Sequence, residues 1–193
     1  MSKKLEICET AMALFYKRGY DNTPMSHIAK ALGASKAILY HYFSNKEELL
    51  FSIIEYQMEK YLSPLLDHAS AIADPEERLR YFIKNYTRLL ASNSQSRIVL
   101  HEAHRLNPEH STIIKARHLR VYQLIHDAIA QMESQGKIKA PHKAFSAFAA
   151  IGMCSWTFYW FDYERRETLD QLSETFAELF FNGILNARGG NIE

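Results

Sequence analysis

Apolar residues recur at helical spacing along almost the whole chain, and start and stop signals divide them into about nine helices with no convincing strand pattern. Ile7, Ala11, Leu14 and Phe15 form one apolar face of a first helix over about 3–18, which Gly19 ends. Thr23-Pro24 is then expected to open a second helix, with Thr23 as its cap and Pro24 in the first turn, ending near Leu32-Gly33. Ser35 caps a short helix over 36–42, and Ser44 with Glu47 predicts a capping box for a long amphipathic run to about His68. Asp74-Pro75-Glu76-Glu77 repeats the device for a helix to about Ala91. Further helices are predicted over 95–106, from Asn107-Pro108 to Gln135, over 142–163, and from Thr168 to Ala187. The predicted class is all-α.

Two short helices joined by Gly33-Ala34-Ser35 behind a longer support helix have the spacing of a helix-turn-helix. Ile28, Ala29 and Leu32 can pack the first inward, and Ile38, Leu39 and Phe43 can hold the second against the support. That leaves Lys36, Ala37, Tyr40 and His41 on the outer face. Cations and polar aromatics there suit phosphate and base-edge contacts, whereas Tyr42 and Phe43 read as core. Charge agrees: residues 1–46 carry seven Lys and Arg against three acids, and the remainder sixteen against nineteen, so a basic head sits on a mildly acidic body. The expected division is a DNA-binding domain over 1–46 and an effector-binding and dimerisation domain over 47–193.

The run Gly19-Tyr20, Thr23, Met25, Ile28-Ala29, Gly33, Ser35, Leu39-Tyr40-His41-Tyr42-Phe43 and Lys46-Glu47-Glu48-Leu49 resembles the signature of the TetR family of regulators. The resemblance implies that Tyr40 and Lys46 touch phosphates, that Thr23 caps one, and that Ser35, Lys36 and Ala37 read bases, with His41 on the variable position. Two departures stand out: Ala31-Leu32-Gly33-Ala34 replaces the commoner Ala-Gly-Val run, and Pro24 replaces a Ser or Thr and removes one amide. Double-stranded operator DNA is the partner so implied, and repression the implied action.

A lone helix-turn-helix touches few bases, so a two-fold homodimer is expected. Ala147, Ala150, Ile151, Cys154 and Phe158, with Leu172, Phe176, Leu179, Phe180 and Ile184, are the expected interface, the last two predicted helices of each subunit making a four-helix contact. Their other reading is intramolecular core. The body also carries polar aromatics and cations beyond what packing needs: Tyr86, His101, Arg105, Tyr122, His126, Trp156, Tyr159 and Trp160 are the expected effector contacts. Gly152–Phe161 is similar to the Trp-Thr-Tyr-aromatic stretch of TetR-like regulators of fatty-acid, steroid and aromatic-acid catabolism. That likeness implies an acyl-CoA, or an aromatic or fatty acid, with Arg105 or Arg117 at its charged end.

Composition trims the alternatives. With 47% hydrophobic residues, seven Gly and five Pro, the chain is globular rather than disordered. Cys8 and Cys154 stand too far apart in sequence for a redox or metal motif and read as small buried hydrophobes of a cytoplasmic protein. Ala144–Phe161 runs 18 residues without a charge, close to the ~20 that span a bilayer, yet its polar and small residues suit a buried helix better. His101 and His104, with Glu102 or His68, have the spacing to share a metal, but the histidine spacing alone carries that reading, so no metal or cofactor is assigned. No Gly-x-Ser-x-Gly elbow or phosphate loop marks an enzyme. The competing function is a ligand-independent DNA-bound protein whose body docks a partner protein.

Overall fold

The computed structural model describes residues 2–92, 101–138, 142–160 and 168–185. Every regular element among them is helical: α1 (Lys3–Arg18), α2 (Met25–Ala31), α3 (Lys36–Tyr42), α4 (Lys46–Gln57), α5 (Ser63–Ala71), α6 (Pro75–Ser92), α7 (Pro108–Ser134), α8 (Lys143–Trp160) and α9 (Leu169–Leu185). A π-helical turn, Met58–Leu62, joins α4 to α5, and a 3-10 turn, Ala103–Arg105, precedes α7. Residues 95–100 of the expected helix over 95–106 lie outside the described residues; of the remainder, His101 is helical and Ala103–Arg105 forms that 3-10 turn. The π turn has a local cause. Pro64 carries no N–H and its ring would crowd the carbonyl of Lys60, so the chain widens just before it.

Two compact units result, one of residues 1–60 with 94–116 and the other of 61–93 with 117–193. The division falls inside the π turn and again inside α7, so two helical runs pass from one unit into the other.

The first unit is built on the contact of α1 with α4, with α2 laid against α1 and α3 against α2. Ile7, Ala11 and Phe15 of α1, Ile28 of α2, Leu39 of α3 and Leu49, Leu50, Ile53 and Ile54 of α4 are buried together with Phe43. Three ends follow sequence rules closely. The Ser35 hydroxyl accepts the Ile38 amide, Asp74 Oδ1 accepts the Glu76 and Glu77 amides at 2.9 and 3.0 Å, and Asn107 Oδ1 accepts the His110 amide at 2.8 Å. Two ends differ. Pro24, not Thr23, occupies the cap position of α2, and Asn45, not Ser44, caps α4, its Oδ1 accepting the Glu48 amide at 2.8 Å while Glu48 accepts the Ser44 amide. The α4 box is therefore shifted by one residue.

In the second unit α6 is the central helix, packed against α9, α8 and α5. Leu79, Phe82, Ile83 and Tyr86 of α6 are buried with Ala147, Ala150 and Cys154 of α8 and Ala177 and Phe181 of α9. Cation and acid pairs edge the α6–α9 contact: Arg80 with Glu178, Lys84 with Glu174, and Arg88 with Asp170 at 2.9 Å.

Candidate nucleic-acid interface

Helix α3 projects from Gly33, whose φ of 61° lets the chain reverse where a side chain would be strained. Leu39 is its one fully inward residue, so Lys36, Ala37, Tyr40 and His41 lie exposed as expected, with Tyr40 52% exposed. Ile38, expected to pack inward, is 40% exposed instead. With seven residues, α3 has one turn-width of inward face, and Leu39 with the following Phe43 fills it. Tyr42 is half-buried, with His41 against it edge-on at 5.1 Å.

Thr23 is placed differently from its expected role, and Lys46 is partly engaged within the chain. Thr23 is fully buried, and its hydroxyl donates to the Gly19 carbonyl at 2.9 Å. It closes the end of α1 and presents nothing to solvent. Lys46 Nζ donates to the Tyr20 carbonyl at 2.7 Å and sits 4.0 Å from the centre of the Tyr20 ring. Burial is the first cause of a lowered Lys46 pKa. Tyr20 stands in the family signature but carries no role there. Its ring packs on Phe15 at 5.0 Å, and burial pushes its phenol up to about 12, so it remains neutral.

The expected effector residues are divided between the two units. Arg105 belongs to the first unit, where it grips Asp21 through two nitrogens and also pairs with Glu102. His101 lies in the same unit, exposed. The Arg105–Asp21 pairing spans 84 positions and is made by the tertiary fold, which helical spacing cannot reveal. Tyr86 is buried in the second unit, its hydroxyl bonded to Ser155 and its pKa raised to about 12 by burial. Tyr122 stacks on His126 at 5.5 Å and meets Phe148 at 5.3 Å, and Trp156 is 61% exposed. The side chains of Tyr159, Trp160 and Phe158 lie outside the described residues. Two concavities of the second unit, about 390 Å³ beside His68, Tyr81 and Arg88 and about 270 Å³ beside Arg78, Arg120 and Gln131, include none of the eight.

The expected dimer residues divide in the same way. Ala147, Ala150 and Cys154 are buried within one chain, Cys154 Sγ lying 3.3 Å from the Thr87 hydroxyl of α6, and Phe180 is buried too. Small residues admit a close neighbour, and here α6 is that neighbour. What α8 leaves outside is Phe145, Phe148, Gly152 and Trp156, and what α9 leaves is Leu179 and Gly183 with half-buried Leu172 and Phe176. A side chain at either glycine would meet nothing within 4 Å.

Cys8 and Cys154 are both buried, which pushes each thiol up to about 11 and leaves little thiolate for chemistry. His104 Nδ1 bonds the His101 carbonyl at 2.7 Å and Glu102 pairs with Arg105. No cluster of three metal-ligating side chains occurs among the described residues. No described helix is long and apolar enough to cross a membrane.

Residues 7–53 match the family described as bacterial regulatory proteins, tetR family, and residues 73–184 match the tetracyclin repressor-like C-terminal domain. The fold is similar to that of AibR in complex with isovaleryl coenzyme A and operator DNA, with 33% identity, a TM-score of 0.85, and 92% of this chain and 97% of that one covered. The repressor KstR2 of Mycobacterium tuberculosis is 24% identical over 186 residues, 95% of this chain and 93% of its own length. The fatty acid metabolism regulator protein of Bacillus subtilis is 29% identical over 97 residues, 50% of each chain.

Proposed function

Because this chain belongs to the TetR family of bacterial regulatory proteins, we propose that it is a dimeric repressor released from its operator by an acyl-CoA or a related fatty or aromatic acid. The observation that carries the reading is the exposed face of α3, which sets Lys36, Ala37, Tyr40 and His41 on a short helix capped by Ser35. Lys36 and His41 supply donors for base edges and phosphates, Tyr40 a phosphate contact, and exposed Ile38 an apolar partner for a thymine methyl. Lys46 uses one of its three donors on Tyr20, leaving two for a phosphate. Residues 1–46 are the DNA-reading part in this proposal, and residues 47–193 hold the effector and the partner subunit.

The homodimer is proposed to form through the faces that α8 and α9 leave outside, Phe148, Gly152 and Trp156 with Phe176, Leu179 and Gly183. Such a dimer sets two copies of α3 about one turn of DNA apart, ~34 Å, or a multiple of it. The acyl-CoA class rests on the likeness to AibR, whose complex holds isovaleryl-CoA. In this chain Tyr86, Tyr122 and His126 remain the proposed effector contacts, exposed Trp156 going to the dimer face instead, and Arg117, beside Ser63, is the proposed partner of the charged end. Release is a population shift. A hundredfold loss of operator affinity needs the effector to favour the released form by ~2.7 kcal/mol.

The test is to select duplexes from a random library with the purified chain, then titrate the selected duplex with isovaleryl-CoA, longer acyl-CoAs and the free acids. Selection of one palindromic sequence and its release by one of these ligands is the expected result. A selected duplex that no ligand in the panel releases would leave a DNA-bound protein without this effector class.

A further inference from the structure

The segment 102–110 holds the DNA-reading part at two acidic residues. Arg105 Nη1 and Nη2 donate to Asp21 Oδ1 and Oδ2 at 2.9 and 2.6 Å, and the guanidinium lies 5.1 Å from the Tyr20 ring centre. The Asn107 amide and its side chain donate to Glu47 Oε1 and Oε2 at 3.0 and 3.2 Å, and His110 Nδ1 lies 2.9 Å from Glu47 Oε1. The His110 ring stacks flat on Phe51 at 3.8 Å, which fixes its orientation. All of these residues belong to the first unit.

Asp21 and Glu47 are the sequence neighbours of Tyr20 and Lys46, whose bond of 2.7 Å joins the turn before α2 to the start of α4. The segment therefore grips the chain on both sides of that bond. An exposed ion pair adds only ~0–1 kcal/mol of stability, but a two-pronged Arg–carboxylate contact fixes orientation as well as distance. We propose that Arg105–Asp21 and Asn107/His110–Glu47 form a two-point clamp that positions Lys46 and the turn before α2 for operator phosphates. Arg105 and Glu47 are then positioning residues that hold the operator contacts without reaching the DNA. The clamp rests on the DNA-binding reading above.

The sign of one substitution separates this from simple charge. Removing an acid beside DNA strengthens binding if only charge matters; removing a clamp residue weakens it. Operator affinity and its salt dependence would be measured for the wild type, Asp21→Ala, Arg105→Ala, the double variant, Arg105→Lys and Glu47→Gln, with helix content and melting followed for each. The expected result is that Asp21→Ala and Arg105→Ala each weaken binding about fivefold, that the double variant is no worse than either, and that Arg105→Lys recovers part of the loss. Asp21→Ala that tightens binding or leaves it unchanged would overturn the clamp. So would a loss confined to Arg105→Ala with a salt slope lower by ~0.9 for each subunit, the mark of a direct phosphate contact. Asp21→Asn, which keeps the shape and removes the charge, decides the matter if Arg105→Ala does not fold. A wild type that selects no duplex overturns the DNA-binding reading itself, and does so before any variant is compared.

Discussion

Lys46 reaches across 26 residues to donate to the Tyr20 carbonyl at 2.7 Å, with the Tyr20 ring beneath it at 4.0 Å. The contact makes Lys46 a charge of fixed position rather than a loose surface cation. Lys46→Gln keeps a donor for Tyr20 but removes the charge. The expected outcome is weaker operator binding, with the slope of log K against log salt reduced by ~0.9 per subunit and the melting temperature little changed. Fluorescence anisotropy across a salt series checks both. A normal slope would remove Lys46 from the phosphate contacts.

Legibility in the sequence followed the range of the interaction. The caps Ser35, Asp74 and Asn107 act on amides two or three residues away, so the pattern of side chains reveals them. The exposed residues of α3 were readable for the same reason, since one inward residue, Leu39, sets the face. Thr23 was misread because its hydroxyl joins the end of α1, at Gly19, rather than the helix it precedes. The Arg105–Asp21 pairing is not visible in the sequence, because the two residues lie 84 positions apart. Helix α8 posed a different problem. It is apolar on most sides, so periodicity does not say which face meets α6, and Ala147, Ala150 and Cys154 were read as facing outward when they face in. The surface that matters for a partner was visible as residues but not as a face.

That face yields a second expectation. Gly152 lies in open space in the single chain, between exposed Phe148 and Trp156 on the same side of α8. Gly152→Leu leaves the single chain's packing intact but would block close approach of a second copy. Leu179→Lys, at a residue 60% exposed, would bury a charge in the same contact. Sedimentation is expected to give a dimer for the wild type and a shift toward monomer for both variants, at unchanged helix content. Dimers of unchanged strength would move the interface elsewhere.

Gln57 is buried in the first unit, its amide nitrogen 3.2 Å from Met12 Sδ, while its oxygen has no hydrogen-bond partner among the described residues. A buried acceptor left unpaired costs ~1–3 kcal/mol. Gln57→Met fills a similar volume without the orphan oxygen and keeps a soft contact to Met12. It is expected to raise the melting temperature by about 2–4 °C, the shift for ~1 kcal/mol in a chain of this size. Calorimetry decides it, and a lower melting temperature would mean that the Gln57 oxygen is engaged in the native protein.

His118, half-buried on α7 in the second unit, has its pKa lowered by burial from the ordinary 6.5. The sign follows from which state takes up the proton first. As pH falls through 6.5 the unfolded chain binds it before the folded one, so stability is full above that pH and declines as pH drops toward the folded value. Glu48 works in a separate window. The Ser44 amide holds its carboxylate below the ordinary 4.5, so its contribution is lost only at more acidic pH. Melting temperatures at pH 7.5, 6.5 and 5.5 are therefore expected to fall less for His118→Gln than for the wild type, the two curves diverging only below neutral pH. Parallel curves would show that His118 titrates alike in both states, and a steeper fall in the variant would reverse the sign assigned to its burial.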